Sequence, residues 1–264
     1  MNADEMHDEK KLFDLNGRCI PNNIKSPVYI KTRRYFIFEP VEINYSNIYN
    51  KIKYHLDPET KLTIDEFETR SKNILTKLQN NPITENITKG VGVPFFLPKN
   101  NYSDIGKALV NQYINALGRS FQETNPKYEF INHCKEDLSN LIKVAPNSRH
   151  ERLLNSMQED VVVGYYYPCI MEYSIPAAIE CINTLPSNFL LAGGFDTCSA
   201  FIGSPNLLLR EKGYPPLLWM TALVCDRKDV GYHIEAYGYN LTFNSRAHLE
   251  QVAEYWSHAL VILG

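Results

Sequence analysis

The stretch that decides the fold is residues 188–205, which reads NFLLAGGFDTCSAFIGSP. Its apolar run, residues 189–192, is typical of a short buried strand. The two glycines that follow, Gly193 and Gly194, permit a sharp turn, and the residues from Asp196 onward favour a short helix. The stretch therefore predicts a strand, a turn and a helix in close succession, as in proteins that combine helices with a β-sheet.

Apolar patterns typical of strands and of helices occur on either side of this stretch. Residues 161–171 and 217–243 are rich in valine, tyrosine and other residues typical of strands. Residues 103–118, 127–144 and 148–158 carry apolar side chains at helical spacing, next to capping residues or prolines. We therefore expect an α+β (or α/β) fold, in which a mixed, largely antiparallel sheet from the C-terminal half has helices packed against it.

Capping signals predict further helices at both ends of the chain. Residues 46–56 are compatible with a short helix, and Thr63 followed by Glu66 forms a capping box at the start of a longer one. Ser245 is a candidate N-cap for a final helix whose apolar face reaches Leu260. The sequence thus predicts two helices in the N-terminal third and one at the C-terminus.

A second unusual stretch, residues 90–98, reads GVGVPFFLP. Two glycines and two prolines within an apolar run disfavour a regular helix and a central strand. We expect an irregular segment that crosses the core as a linker or lines a pocket, since buried irregular backbone must find hydrogen-bond partners.

The domain organisation is expected to be simple. We predict a flexible tail over residues 1–25 and a single globular domain over residues 26–264, with a small N-terminal subdomain over residues 26–89 as an alternative. Residues 28–38 are predicted to form a strand or a broken pair of strands. Their basic cluster beside aromatic residues resembles a platform for single-stranded nucleic acid, or more simply protects an edge strand with charge.

Composition excludes several classes of function. The 264 residues carry a formal net charge of -3 and 44% hydrophobic residues, which is typical of a globular protein without affinity for nucleic acid. The sequence contains no apolar run long enough to span a membrane and begins without the pattern of a secretory signal. We expect a cytoplasmic protein that binds a small molecule or a peptide, if anything, and not nucleic acid.

The six cysteines stand singly, without the paired spacing of a zinc site. In a cytoplasmic protein the same scatter argues against a disulfide framework. We therefore expect no cofactor and no structural metal, and we interpret most of these cysteines as small buried hydrophobic residues.

The first candidate chemistry is a thiol nucleophile. Cys198 follows the double glycine near a predicted helix start, where the free amides and the helix dipole lower the pKa of a thiol. His233 on a predicted strand is the candidate base, and Asn240 or Asp226 is the candidate residue that orients it. These residues predict a cysteine-dependent hydrolase or acyl transferase.

The order of these residues resembles a known arrangement. A cysteine on a helix, a histidine on a later strand and a polar residue after it are similar to the papain-like and transglutaminase-like thiol hydrolases. Residues 196–201, DTCSAF, also resemble the Asp-Cys-Ser-Gly-Phe motif of the NlpC/P60 peptidases. Thr197 is an insertion in that motif, and Ala200 replaces its glycine. The resemblance implies a catalytic role for Cys198.

The second candidate is a metal site. His233 and Glu235 are two residues apart on a predicted strand, so their side chains face the same side. With His248 or His258 they would form the two-histidine, one-carboxylate set that holds non-haem iron. The simpler interpretation assigns His248 and His258 to the polar face of the final helix.

The third candidate is a phosphate or other ligand held at Gly193 and Gly194, with Asp196 beside them. The spacing lacks the further glycines and the lysine of known phosphate-binding loops. A tight turn is the simpler interpretation of the two glycines.

The alternative to an enzyme is a non-catalytic module that binds a ligand or a protein. Its binding surface would be a groove lined by aromatic side chains, which are abundant in two predicted strands. Tyrosine suits such a groove because it combines a large apolar ring with a polar tip. The residues of this groove are Phe95, Phe96, Tyr165, Tyr166 and Tyr167.

Overall fold

The structure is a computed structural model that describes residues 11–28, 38–210, 216–226 and 229–264. The helical elements are α1 (Tyr45–His55), α2 (Ile64–Gln79), a 3-10 turn (Glu85–Lys89), α3 (Ile105–Ala108), a π-helical turn (Leu109–Ile114), α4 (Asn115–Thr124), α5 (Glu151–Glu159), α6 (Ile175–Ile182) and α7 (Gly194–Gly203). The strands are β1 (Val93–Leu97), β2 (Phe130–Asn132), β3 (Ile142–Val144), β4 (Val162–Met171), β5 (Phe189–Leu191), β6 (Leu217–Trp219), β7 (Leu223–Cys225), β8 (Gly231–Tyr237), β9 (Asn240–Arg246) and β10 (Trp256–Leu263).

Eight of these strands form one mixed sheet. Its order is β1-β4-β10-β6-β8-β9-β2, and β5 also pairs with β10. Only β10 with β6 and β2 with β9 run parallel; the other pairs of this sheet are antiparallel. Strands β3 and β7 form a separate antiparallel pair. Helices pack around the sheet, so the predicted α+β fold is confirmed.

The two faces of the sheet carry different cores, because successive side chains of a strand point to opposite faces. On one face, Tyr166 and Val261 belong to the apolar cluster that also contains residues of α1, α4, α5 and α7. On the other face, Tyr167 and Leu260 belong to a second cluster with residues of α2, α6 and the N-terminal segment. We call these the α7 face and the α6 face.

Local signals placed several helices correctly. Thr63 and Glu66 form the predicted capping box at the start of α2, where the Thr63 hydroxyl accepts a hydrogen bond from the Glu66 amide. The strand, turn and helix predicted around Gly193 are present as β5 and α7. The sequence pattern succeeds here because capping residues act on the backbone next to them.

Two predicted helices are wrong. Residues 127–144 contain β2 and β3 instead of a helix; the Asp137 carboxylate accepts hydrogen bonds from the Ser139 amide and hydroxyl, and Asn140 has a φ of 59°. The final helix predicted from Ser245 is replaced by a loop and by β10 in the middle of the sheet. A fully buried strand is apolar on both faces, so its sequence is easily taken for a buried helix.

Two smaller boundaries also differ. The helix predicted to end at Gly118 continues to Thr124. Gly118 lies within it, where a Cβ would be 2.7 Å from the ring of Phe130, so glycine permits this close contact. Residues 230–243, part of the strand-like stretch 217–243, contain a hairpin of β8 and β9 instead of one continuous strand. Gly238 and Tyr239 form its turn with φ values of 57° and 69°, as a tight two-residue turn requires.

The segment of residues 90–98 is more regular than predicted. Residues 93–97 form β1, an edge strand that pairs, among the described residues, with β4 alone. An edge position tolerates Pro94, because one side of the strand needs no ladder partner. The residues before it, Gly90 to Gly92, pair with no strand in the described part of the chain and lie beside a cavity.

The N-terminal segment packs against the sheet from residue 11 onward, although a flexible tail was expected over residues 1–25. Phe13 is fully buried on the α6 face, and Cys19 donates its amide to the carbonyl oxygen of Cys169 on β4. Residues 1–10 and most of the strand predicted at 28–38 lie outside the described residues. No helix in the described part of the chain is long and apolar enough to cross a membrane.

Candidate functional site

A cavity of about 330 Å³ lies on the α6 face of the sheet. Its walls come from three parts of the chain: residues 16–18, a second segment that contributes Phe38, Pro40, Val41 and Ile43, and residues 88–92. Its floor is the middle of β4, where Tyr165 and Tyr167 point to this face. This volume lies at the lower end of the range for sites that enclose a small organic ligand.

The two tyrosines of the floor differ in their hydrogen bonds. Their rings stack with centroids 5.5 Å apart. The Tyr165 hydroxyl lies 3.0 Å from the Tyr45 hydroxyl, whereas the buried Tyr167 hydroxyl has no hydrogen-bond partner among the described residues. Burial raises the pKa of both phenols, so both stay neutral and act through their hydroxyl groups.

Positive charge lies at the rim of the cavity. Lys89 donates from Nζ to the neutral Asn86 amide oxygen at 2.6 Å, and Arg18 donates from Nε to the Met171 sulfur at 3.2 Å. Among the described residues, none that lines the cavity is acidic. Glu172 is close enough for Arg18 to lower its pKa, but it is not part of the wall. The cavity therefore favours a negatively charged group.

Glycines bring the walls together. Gly17 has a φ of 77° and lies so close to Gly90 that a Cβ at Gly17 would be 2.5 Å from the Gly90 nitrogen. A Cβ at Gly92 would lie 2.2 Å from Cε1 of Tyr167. The ring of Tyr167 therefore packs directly against the backbone of Gly92, and any larger residue at position 92 would displace the ring.

The predicted ligand site at Gly193 and Gly194 is filled by the protein itself. A Cβ at Gly193 would lie 2.4 Å from Nε2 of His150, and one at Gly194 would lie 2.7 Å from a methyl carbon of Leu109. The Gly193 amide donates to both carboxylate oxygens of Asp196 at 3.0 Å. The anion at this helix start is therefore the side chain of Asp196, and the corner leaves no room for a ligand.

Asp196 belongs to a buried polar network that connects α7 with α5 and β4. Its carboxylate lies 3.9 Å from Nε2 of His150, whose Nδ1 donates to the Leu191 carbonyl oxygen. The Thr197 hydroxyl donates to the Gly193 carbonyl oxygen and lies 3.2 Å from the Tyr166 hydroxyl. Burial raises the pKa of Asp196, although His150 and the Gly193 amide act in the opposite direction.

Cys198 lies in the second turn of α7 and is completely buried. Burial and the nearby Asp196 raise the pKa of its thiol well above the ordinary value. The helix start that was expected to lower this pKa lies one turn away, and Asp196 accepts the hydrogen bond of its Gly193 amide. The thiol is thus neutral and enclosed by apolar side chains.

His233 is on the opposite face of the sheet from Cys198. Ile234 and Leu218 share the α7 face with Cys198, whereas His233 packs edge-on against Trp219, with ring centroids 5.0 Å apart. Alternation along β6 and β8 requires this separation. The predicted thiol–imidazole pair is therefore not assembled in this structure.

The two residues expected to orient His233 have other partners. Asn240 Oδ1 accepts a hydrogen bond from the Glu129 amide, and the exposed Asp226 accepts one from Lys143 Nζ. The partner of His233 is Glu235, with Nε2 3.5 Å from the carboxylate. Burial nevertheless lowers the pKa of His233.

The predicted pair His233 and Glu235 shares one face of β8, as expected, but the residues that the structure describes supply no third ligand. His258 is buried with Nδ1 2.7 Å from the Thr221 hydroxyl and Nε2 2.8 Å from the Tyr173 carbonyl oxygen, and His248 is exposed on the loop before β10. The described residues contain no group of three or more side chains that could hold a metal ion.

The predicted aromatic groove is divided by the sheet. Tyr165 and Tyr167 line the cavity, whereas Tyr166 and Phe95 lie on the α7 face. Phe96 does not line the cavity and is covered by Tyr49 and Phe67 of the two N-terminal helices, with ring centroids 5.5 and 5.7 Å away. Of the five predicted groove residues, Tyr165 and Tyr167 line the cavity and the other three do not.

Sequence reasoning missed both cationic residues of the cavity. Lys89 is next to the irregular segment that begins at Gly90, so the segment itself was the available signal. Arg18 belongs to the stretch interpreted as a tail, and only the fold brings it to β4. Cys198 and His233 stand out in the sequence because cysteine and histidine are residue types with catalytic chemistry. The sequence does not show how deeply the two side chains are buried.

The fold and the site together define an α+β protein with a small cavity whose rim is cationic and whose floor is aromatic. A comparison with protein-family models, curated proteins and solved structures finds no match to this chain.

Proposed function

We propose that this protein binds a small organic anion in the cavity between residues 16–18, residues 38–43 and β4. The apolar body of the ligand lies over Tyr165 and Tyr167, and its charged end lies near Lys89. Charge complementarity supports this ligand class, because Lys89 has a neutral hydrogen-bond partner and the lining in the described part of the chain contains no carboxylate.

The observation that carries the proposal is the hydroxyl of Tyr167. A buried hydroxyl without a partner costs about 1–3 kcal/mol relative to a satisfied one, and phenylalanine would avoid this cost. Such a group calls for an explanation, and a ligand oxygen that accepts its hydrogen bond supplies one. Its position in the wall of a cavity, next to a cationic rim, supports a role in binding.

The remaining lining supports an apolar or aromatic body. Several other side chains that line the cavity are aliphatic or aromatic, and binding sites for small molecules combine such walls with a few polar groups. These side chains are Phe38, Val41, Ile43, Leu75 and Val91.

Two fluorescent probes with the same rings test this proposal. 8-Anilinonaphthalene-1-sulfonate carries a sulfonate, whereas N-phenyl-1-naphthylamine is the neutral compound without it. We expect the sulfonate to bind about 10-fold more tightly, which corresponds to about 1.4 kcal/mol. Lys89→Gln should remove most of this preference while the affinity for the neutral probe stays the same. Tyr167→Phe should weaken binding of the sulfonate several-fold.

Lys143→Gln is the matched control, because Lys143 is an exposed lysine that pairs with Asp226 away from the cavity. It should leave both affinities unchanged. Equal affinity for the two probes, or a loss in the Lys143 variant as large as in the Lys89 variant, would contradict the proposed anion site.

A further inference from the structure

Two cysteine thiols from distant parts of the chain meet on the α6 face. The Sγ atoms of Cys19 and Cys181 are 3.0 Å apart, although 162 positions separate the two residues in the sequence. Both are reduced in this structure. Since a disulfide bond is about 2.0 Å long, a movement of about 1 Å would bring the two sulfurs to bonding distance.

Backbone and side-chain hydrogen bonds hold the segments that carry these thiols against each other. The Cys19 amide donates to the Cys169 carbonyl oxygen at 2.9 Å. Farther along the same segment, the Lys25 amide donates to Oε2 of Glu180, the residue before Cys181, at 2.7 Å. These hydrogen bonds hold the two segments together, so the two thiols stay in contact.

We propose that Cys19 and Cys181 are a site of reversible oxidation that forms an intramolecular disulfide with a peroxide as the oxidant. The two thiols give up two protons and two electrons, and one S–S bond replaces two S–H bonds. Hydrogen peroxide accepts the protons and electrons, its O–O bond breaks, and two water molecules leave. A dithiol reductant reverses the step.

The burial of the pair determines how it reacts. Cys19 is 6% exposed and Cys181 is fully buried, so a small oxidant reaches Cys19 more readily than a bulky one. The hydrogen bond with Cys181 and the burial of the site raise the pKa of Cys19. Because the thiolate is the reactive form, oxidation should be slow at neutral pH and faster as the pH rises.

The bond would join the N-terminal segment to α6 and close a ring of more than 160 residues of the chain. Such a ring restricts the unfolded chain and stabilises the folded one, provided that the native geometry is not strained. This site goes beyond the proposed ligand binding and does not depend on it.

Counting thiols by mass spectrometry tests the proposal. Reduced protein is treated with hydrogen peroxide at pH 7 and pH 8.5, unfolded in guanidinium, alkylated with N-ethylmaleimide and weighed intact. The untreated chain should carry six labels, one for each cysteine, and the oxidised monomer should carry four. The melting temperature of the oxidised form should be higher by about 5 °C or more, and dithiothreitol should reverse both changes.

Variants identify the pair. Cys169→Ala is the matched control, because Cys169 is a buried neighbour in the same cluster, and it should still lose two labels. Cys19→Ala and Cys181→Ala should lose none. Peptides of the wild-type protein, cleaved after Lys25 and Glu172 and before Asp196, place Cys19, Cys169 and Cys181 on different peptides and give the same assignment if a variant fails to fold. Six labels after peroxide treatment, a link that involves Cys169, or links between two molecules only would contradict the proposal.

Discussion

Lowering the pH from 7.5 to 4 should reduce the free energy of unfolding by about 3 kcal/mol through His258 alone. Burial lowers the pKa of His258 from 6.5 to about 4. The folded value lies below the unfolded one, so the neutral ring stabilises the fold above pH 6.5, and this contribution is lost as the pH falls toward 4. The loss follows from the difference of about 2.5 pKa units between the two states.

The structure explains why the ring stays neutral. Nε2–H donates to the Tyr173 carbonyl oxygen, and Nδ1 accepts from the Thr221 hydroxyl. Both nitrogens are satisfied without a charge, whereas a charged ring would have no counter-ion at this position among the described residues. The buried His233 acts in the same direction.

Urea unfolding curves at several pH values measure this effect. His258→Gln should be less stable than the wild type at pH 7.5, but it should lose about 3 kcal/mol less between pH 7.5 and pH 4. His248→Gln is the control, because His248 is exposed, and its curve should follow that of the wild type. A His258 variant with the wild-type pH dependence would show that this histidine is not held neutral.

Asp196→Ala should destabilise the protein by about 3–4 kcal/mol. The variant loses the acceptor of the Gly193 amide at the start of α7 and leaves His150 beside a cavity in the core. The cost of a lost helix cap and the cost of a buried donor without a partner both contribute. Asp196 is fully buried, so water cannot replace the missing acceptor cheaply.

Asp196→Asn is the matched variant, because it keeps an acceptor oxygen of the same size and removes the charge. Since burial raises the pKa of Asp196, loss of the charge should cost only about 1 kcal/mol at pH 7. Equal losses in the alanine and asparagine variants, measured by urea unfolding, would contradict a capping role. At acid pH the protonated Asp196 favours the folded state, so its contribution opposes that of His258.

Local signals in the sequence predicted the parts of the fold that local interactions determine. Thr63 and Glu66 cap α2 through atoms three residues apart, and the glycines at 193 and 194 turn the chain from β5 into α7. The same reasoning failed for residues 256–263, since a strand buried on both faces has no alternation. Its identity as β10 depends on neighbours, β4 and β6, that lie far away in the sequence.

The site depended even more on distant contacts. Tyr165 and Tyr167 were recognised as groove residues because of their type, but the strand places Tyr166 between them on the other face. Arg18 and Lys89 reach the cavity only through the approach of Gly17 to Gly90, which the residue types do not specify. Cys198 had the expected strand, turn and helix around it, and burial removed the reactivity that this context suggested.

A crystal structure of the complex with 8-anilinonaphthalene-1-sulfonate tests the central claim most directly. The anion-binding account predicts the rings over Tyr165 and Tyr167, with a sulfonate oxygen within about 3.2 Å of Lys89 Nζ or of the Tyr167 hydroxyl. Probe bound elsewhere on the protein, with the cavity empty or filled only by water, would contradict the account.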